Sequence, residues 1–107
     1  MRIGIDLGGT KIRLGIVSPD DTIVATRQIA TNPLEGIDAV TARIGAAVDE
    51  LQDSVPSGCS VAALGICSPG PVDHETGMLI DPPNLQGLHH TPLRQKLVDR
   101  LNIPVVL

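Results

Sequence analysis

The segment Ile3-Gly4-Ile5-Asp6-Leu7-Gly8-Gly9-Thr10-Lys11 concentrates groups that could do chemistry within nine positions. An apolar strand ends at a carboxylate, then a glycine pair, then a hydroxyl and an ammonium. Glycines carry no Cβ, so a turn built on them can present peptide N–H groups to an anion. Asp6, at the exit of the strand, is suited to holding a hydrated Mg²⁺, an ion that keeps several waters and takes few protein carboxylates. Thr10 can donate to a phosphate oxygen. Lys11 can add charge there or stand in solvent as an ordinary strand residue. Gly8, Gly9, Thr10 and Lys11 with Asp6 therefore suggest a nucleotide phosphate site. The spacing is not that of a Walker A loop, which needs Gly-x-x-x-x-Gly-Lys-Ser/Thr.

These residues have to be carried by a framework, and 107 residues allow one domain or part of one. The chain has no Phe, Tyr or Trp, so its core must be aliphatic and base stacking on aromatic rings is excluded. A net charge of -4 argues against a nucleic-acid partner. No run of apolar residues is long enough for a membrane span, and Met1-Arg2 leads straight into a strand without a signal-peptide pattern. The expectation is a cytoplasmic protein. Cys59 and Cys67 do not form a C-x-x-C pair, and Cys67, ending an apolar run, reads as a small core residue.

Alternation and apolar runs predict strands over 2–7, 12–17 and 22–29, with Gly8-Gly9 as a hairpin turn. Asn32-Pro33-Leu34-Glu35 reads as a helix start with Asn32 as cap. Leu34, Ile37, Val40, Ile44, Val48 and Leu51 form one apolar face of a helix running to about Gln52. Val61 to Cys67 is a nearly continuous apolar run, expected of a buried central strand. Gly and Pro then break the chain repeatedly, with short strands at most around Met78 to Ile80. Thr91-Pro92 reads as cap and first turn of a second helix carrying Leu93, Leu97, Val98 and Leu101, and a last strand begins at Ile103. The predicted order is β-β-β-α-β-α-β. Ending inside an apolar strand suggests a piece of a longer protein.

Three segments carry a resemblance. Asp6-Leu7-Gly8-Gly9-Thr10-Lys11 resembles the first phosphate motif of the ROK family of repressors, open reading frames and sugar kinases. Leu64-Gly65-Ile66-Cys67-Ser68-Pro69-Gly70-Pro71-Val72-Asp73 is similar to that family's Gly-x-x-x-Pro-Gly-Pro-Val-Asp segment, with Gly77 following. Pro83-Asn84-Leu85, a helix and Ile103-Pro104-Val105-Val106-Leu107 complete the match.

The resemblance implies an α/β, actin-like ATPase (ribonuclease-H-like) fold with a mixed five-stranded sheet and flanking helices. It implies ATP with Mg²⁺ as cofactors and phosphorylation of a hexose or amino-sugar hydroxyl by a homodimeric parent. Residues 1–107 would be the N-terminal lobe, cut before the catalytic Asp and before a second lobe that can carry zinc. Pro69 and Gly70 would lie against the sugar, or form only a rigid turn, and Asn84 would support the sugar site. No catalytic residue is assigned within the chain, since the family's base would fall past Leu107. The competing reading is a sugar-sensing regulator. Such relatives usually carry a helix-turn-helix domain before the phosphate motif, which here begins at residue 3, and often degrade the phosphate glycines, which here are intact. His74, His89 and His90 lack the spacing of a metal site.

Overall fold

The computed structural model describes residues 1–107. Alternation sets the first three strands: β1 (Arg2–Leu7), β2 (Lys11–Val17) and β3 (Ile23–Ala30). In β1 and β2 every second side chain is buried, Ile3, Ile5 and Leu7 opposite Ile16, Leu14 and Ile12. A 3₁₀ turn (Pro33–Glu35) precedes α1 (Ile37–Gln52), followed by β4 (Ala63–Cys67), a hairpin of β5 (Val72–Asp73) and β6 (Met78–Leu79), α2 (Leu93–Leu101) and β7 (Val105–Val106).

The main sheet has the order β3-β2-β1-β4-β7. β1, β2 and β3 pair antiparallel, while β1 with β4 and β4 with β7 pair parallel. The sheet is therefore mixed, with five strands. Parallel pairs need crossovers, and α1 and α2 supply them, packing on each other beside the sheet. Val40, Ile44, Ala47, Val48 and Leu51 of α1 close the core from that side, joined by Leu93 and Leu97 of α2. Ile44 is fully buried. Ile44→Ala should cost about 2–5 kcal/mol, lowering the thermal midpoint by about 10 °C or more. Circular dichroism of the 107-residue chain checks this, and an unchanged midpoint would mean that the α1–sheet core is not formed.

The other sheet face is open. Arg2, Gly4 and Asp6 of β1, Arg13 of β2, Gly65 and Cys67 of β4 and Val106 of β7 are all exposed. Gly4 pairs with Gly15 on one side and Gly65 on the other, so three strands carry a row without side chains. A Cβ built at Gly4 or Gly65 meets nothing within 4 Å.

Four expectations are corrected. The helix does not begin at Asn32: Gly36, at φ 93, breaks the chain after the 3₁₀ turn, and Asn32 makes no capping bond. Leu34 consequently leaves the apolar face and is 77% exposed. Thr91 does not cap α2, because it bridges Leu79 and its hydroxyl donates to Leu88 O. Cys67 is not a core residue: in β4 the side chains alternate, and its parity turns it to the open face. No helix is long and apolar enough to cross a membrane.

Candidate functional site

The β1–β2 turn lies at one end of the sheet. Gly8 N–H donates to Lys11 O at 3.1 Å, closing the turn. The N–H groups of Gly9 and Thr10 donate to no protein acceptor. Two adjacent free donors at a glycine turn suit an anionic oxygen, whereas Gly8 serves the turn itself. Gly9 also has no room for a side chain: a Cβ there would lie 2.6 Å from Asn84 O and 2.7 Å from Asn84 Cβ. Asn84 holds φ 62, in the left-handed region that Asn tolerates better than most residues.

Gly9, Thr10 and Asn84 line an open cavity of about 700 Å³ with Asn32, Glu35 and Gln86 among its walls. Of the residues singled out in the sequence, the fold brings these three together. Asp6 and Lys11 stand at the same end of the sheet but on its open face, outside the cavity lining. Arg13 is paired in register with Asp6, so a second basic residue, not anticipated from the motif, accompanies Lys11 on that face. Pro69 and Gly70 follow β4 and do not line the cavity. A Cβ on Gly70 would meet only Val72 N at 3.8 Å, so packing within this chain does not demand glycine there.

The two free donors of the turn, and a close contact at Gly9 that leaves no room for a Cβ, fit a phosphate group. A Mg²⁺ ion held through water fits a lone carboxylate better than a full protein cage does, and Asp6 is exposed and makes no ion pair. No group of three or more His, Cys, Asp or Glu side chains is assembled anywhere in the chain. His74 Nδ1 meets Leu107 O at 2.7 Å, and His89 Nδ1 meets Asp81 at 2.9 Å.

Asp6 has one side-chain neighbour of note. Parallel register sets it beside Cys67, whose Sγ lies 3.6 Å from Asp6 Oδ1 and can donate to it. The residue as a whole is exposed, yet partial burial of its thiol, followed by the Asp6 charge and this hydrogen bond, pushes the thiol above its ordinary value. The thiolate is the nucleophile, so Asp6→Asn should speed alkylation of Cys67 by iodoacetamide relative to Cys59. Peptide mass spectrometry reads the ratio, and an unchanged ratio would mean that the carboxylate does not reach the thiol.

A second residue missed from sequence, after Arg13, lies behind the turn. Thr31, just past β3, is fully buried, and its Oγ1 donates to Gly8 O at 2.7 Å. Only the β2–β3 register, Lys11 opposite Ala30, could have pointed to it, since that register puts residue 31 across from Thr10.

Comparison with known proteins follows the same lines. The sequence profile of the ROK family matches residues 2–107. Glucokinase of Thermotoga maritima is 35% identical over 105 residues, covering 98% of this chain and 32% of that protein. N-acetylmannosamine kinase of Escherichia coli is 29% identical over 104 residues, covering 97% of this chain and 34% of the relative. A ROK family glucokinase from Streptomyces griseus, solved with glucose and AMPPNP, superposes with a TM-score of 0.84 at 35% identity, over 99% of this chain and 32% of that one. The chain thus spans about a third of the length of the relatives it matches. The fold is the actin-like ATPase fold of those sugar kinases. With the profile matched over residues 2–107, this chain belongs to the ROK family.

Proposed function

We infer that this chain is the nucleotide-binding first lobe of an ATP-dependent hexose kinase. The observation that carries the reading is the pair of free N–H donors on Gly9 and Thr10 at the sheet end where Asp6 emerges. The open sheet face, with Gly15, Gly4 and Gly65 in one row, supports a lobe that packs against further structure in the whole protein. The relatives named glucokinase and N-acetylmannosamine kinase support a hexose or its N-acylated amino sugar as acceptor.

In this reading the Gly9 and Thr10 N–H groups would donate to phosphate oxygens. Asp6 would hold Mg²⁺ through water, and Lys11 and Arg13 would add positive potential on the same face. ATP with Mg²⁺ supplies the phosphoryl group to be transferred. Asn84 contributes to the wall beside the turn, and Pro69-Gly70 lies against the sugar.

A base for the sugar hydroxyl is also required, and the loop carboxylates here are otherwise engaged. Asp73 Oδ1 accepts from the N–H groups of Glu75 at 3.0 Å and Thr76 at 3.3 Å. The Thr76 and Glu75 N–H groups hold its carboxyl below the usual range, which makes it a weaker base. Asp81 is paired with His89. In this reading the base belongs to another part of the whole protein, and residues 1–107 alone are expected to be inactive.

The test is ATP consumption by the full-length protein coupled to a panel of hexoses and N-acylated hexosamines. Turnover on a member of the panel supports the kinase. Sugar binding without turnover on any member assigns the protein to the sugar-sensing regulators instead.

A further inference from the structure

We propose that Thr31 is a positioning residue that locks the Gly8–Gly9 peptide so that its N–H faces the nucleotide. The inference rests on the reading of the turn as a phosphate site and adds a residue that the phosphate motif does not contain.

A peptide unit is planar, and in its trans form the C=O and N–H point in opposite directions. The only cis peptide in the chain is Gly70-Pro71, so the Gly8–Gly9 unit is trans. Its carbonyl belongs to Gly8 and its N–H to Gly9. Fixing one therefore aims the other. The Thr31 hydroxyl donates to Gly8 O at 2.7 Å, while Gly9 N–H donates to nothing in the protein. The carbonyl is thus held inward by a buried hydroxyl and the N–H is turned outward.

This peptide needs a lock more than most. It joins two glycines, and without a Cβ on either side the barrier that keeps other peptide planes from flipping is largely missing. Thr31 is itself held firmly. Its N–H donates to Thr10 O at 3.0 Å, fixing the next peptide but one in the turn. Arg43 of α1 donates to Thr31 O and to Asn32 O and pairs with Glu35. The α1 helix and the 3₁₀ turn before it therefore brace the residue that braces the phosphate turn.

Thr31→Val keeps the shape and removes the donor, leaving Gly8 O without its partner. Thr31→Ser keeps the donor. Titration of the full-length protein with a non-hydrolysable ATP analogue should show about tenfold weaker binding for Thr31→Val. The affinity of Thr31→Ser should stay within about twofold, and sugar affinity should be unchanged in both. In steady state the KM for ATP should rise with the KM for sugar unaltered. Equal affinity of Thr31→Val and the parent protein, a parallel loss in Thr31→Ser, or a matching loss of sugar affinity would each overturn the proposal.

Amide hydrogen exchange of the unliganded protein separates this idea from the kinase reading. The Gly8 and Thr31 amides, bonded to Lys11 O and Thr10 O, should exchange faster in Thr31→Val and not in Thr31→Ser. If the parent protein binds no adenine nucleotide, the kinase reading fails. The exchange pattern then still decides whether Thr31 locks the peptide, and unchanged exchange overturns it.

Discussion

Replacing Gly9 with alanine should reduce binding of a non-hydrolysable ATP analogue to the full-length protein by about a hundredfold or more, a loss of about 3 kcal/mol. The added Cβ would stand 2.6 Å from Asn84 O and 2.7 Å from Asn84 Cβ. Both are backbone or first side-chain atoms, so no flexible tip can swing aside and one segment has to move. The Asn84 segment is anchored by its neighbours Leu85 and Leu88, which are fully buried. The turn, exposed at Thr10, is the part that gives way, and it carries the two donors proposed to meet the phosphate. Overpacking of this kind also costs about 1–3 kcal/mol of stability. For that stability cost, with both variants made in the 107-residue chain, Gly4→Ala is the matched control, since its methyl meets nothing within 4 Å. If Gly9→Ala binds the analogue as tightly as the parent protein, the close approach of turn and Asn84 segment is not part of the site.

Much of this arrangement is legible in the residues themselves. The α1 face follows from Val40, Ile44, Val48 and Leu51 at helical spacing, and the β1–turn–β2 hairpin from alternating Ile and Leu around Gly8-Gly9. What stays hidden is what depends on partners distant in sequence. Asn32-Pro33-Leu34-Glu35 satisfies the local rules for a helix start, but Gly36 at φ 93 stops the turn before α1 begins. Gly87, at φ 94, comes so close to Pro33 O that a Cβ there would lie 2.4 Å from it, a long-range contact no local rule contains. Thr91 looks like a cap until Leu79 claims its backbone.

Cys67 shows a different limit. A strand of mixed small and apolar residues does not reveal whether both faces are covered, and in β4 only Leu64 and Ile66 are buried. The site divides in the same way. Asp6, Gly8, Gly9 and Thr10 announce themselves because their types are chemically unusual at the end of a strand. Thr31 and Arg43 carry no such mark, for their roles arise only once β3 pairs with β2 and α1 packs behind the turn.

If the full-length protein is the proposed kinase, Asp6→Asn should lower its turnover by about a hundred- to a thousandfold, the range expected when one electrostatic contributor to a transition state is removed. The substitution keeps the shape of the side chain and deletes its charge. Asp6 is exposed and its one side-chain partner is the Cys67 thiol at 3.6 Å, so the fold has little to lose and the thermal midpoint should stay nearly constant. Sugar affinity should also hold, because the neutral amide still fills the same space at the strand exit. What changes is the attraction for a divalent cation: half-saturation by Mg²⁺ should move to higher concentration while the sugar titration stays in place. That separation matters, because a variant that merely loosened the sheet would weaken both ligands and the midpoint together. If Asp6→Asn turns over like the parent protein at limiting Mg²⁺, the carboxylate is a strand-end residue and the cation is held by groups elsewhere in the whole protein. The free donors of Gly9 and Thr10 would then have to orient the phosphates without it.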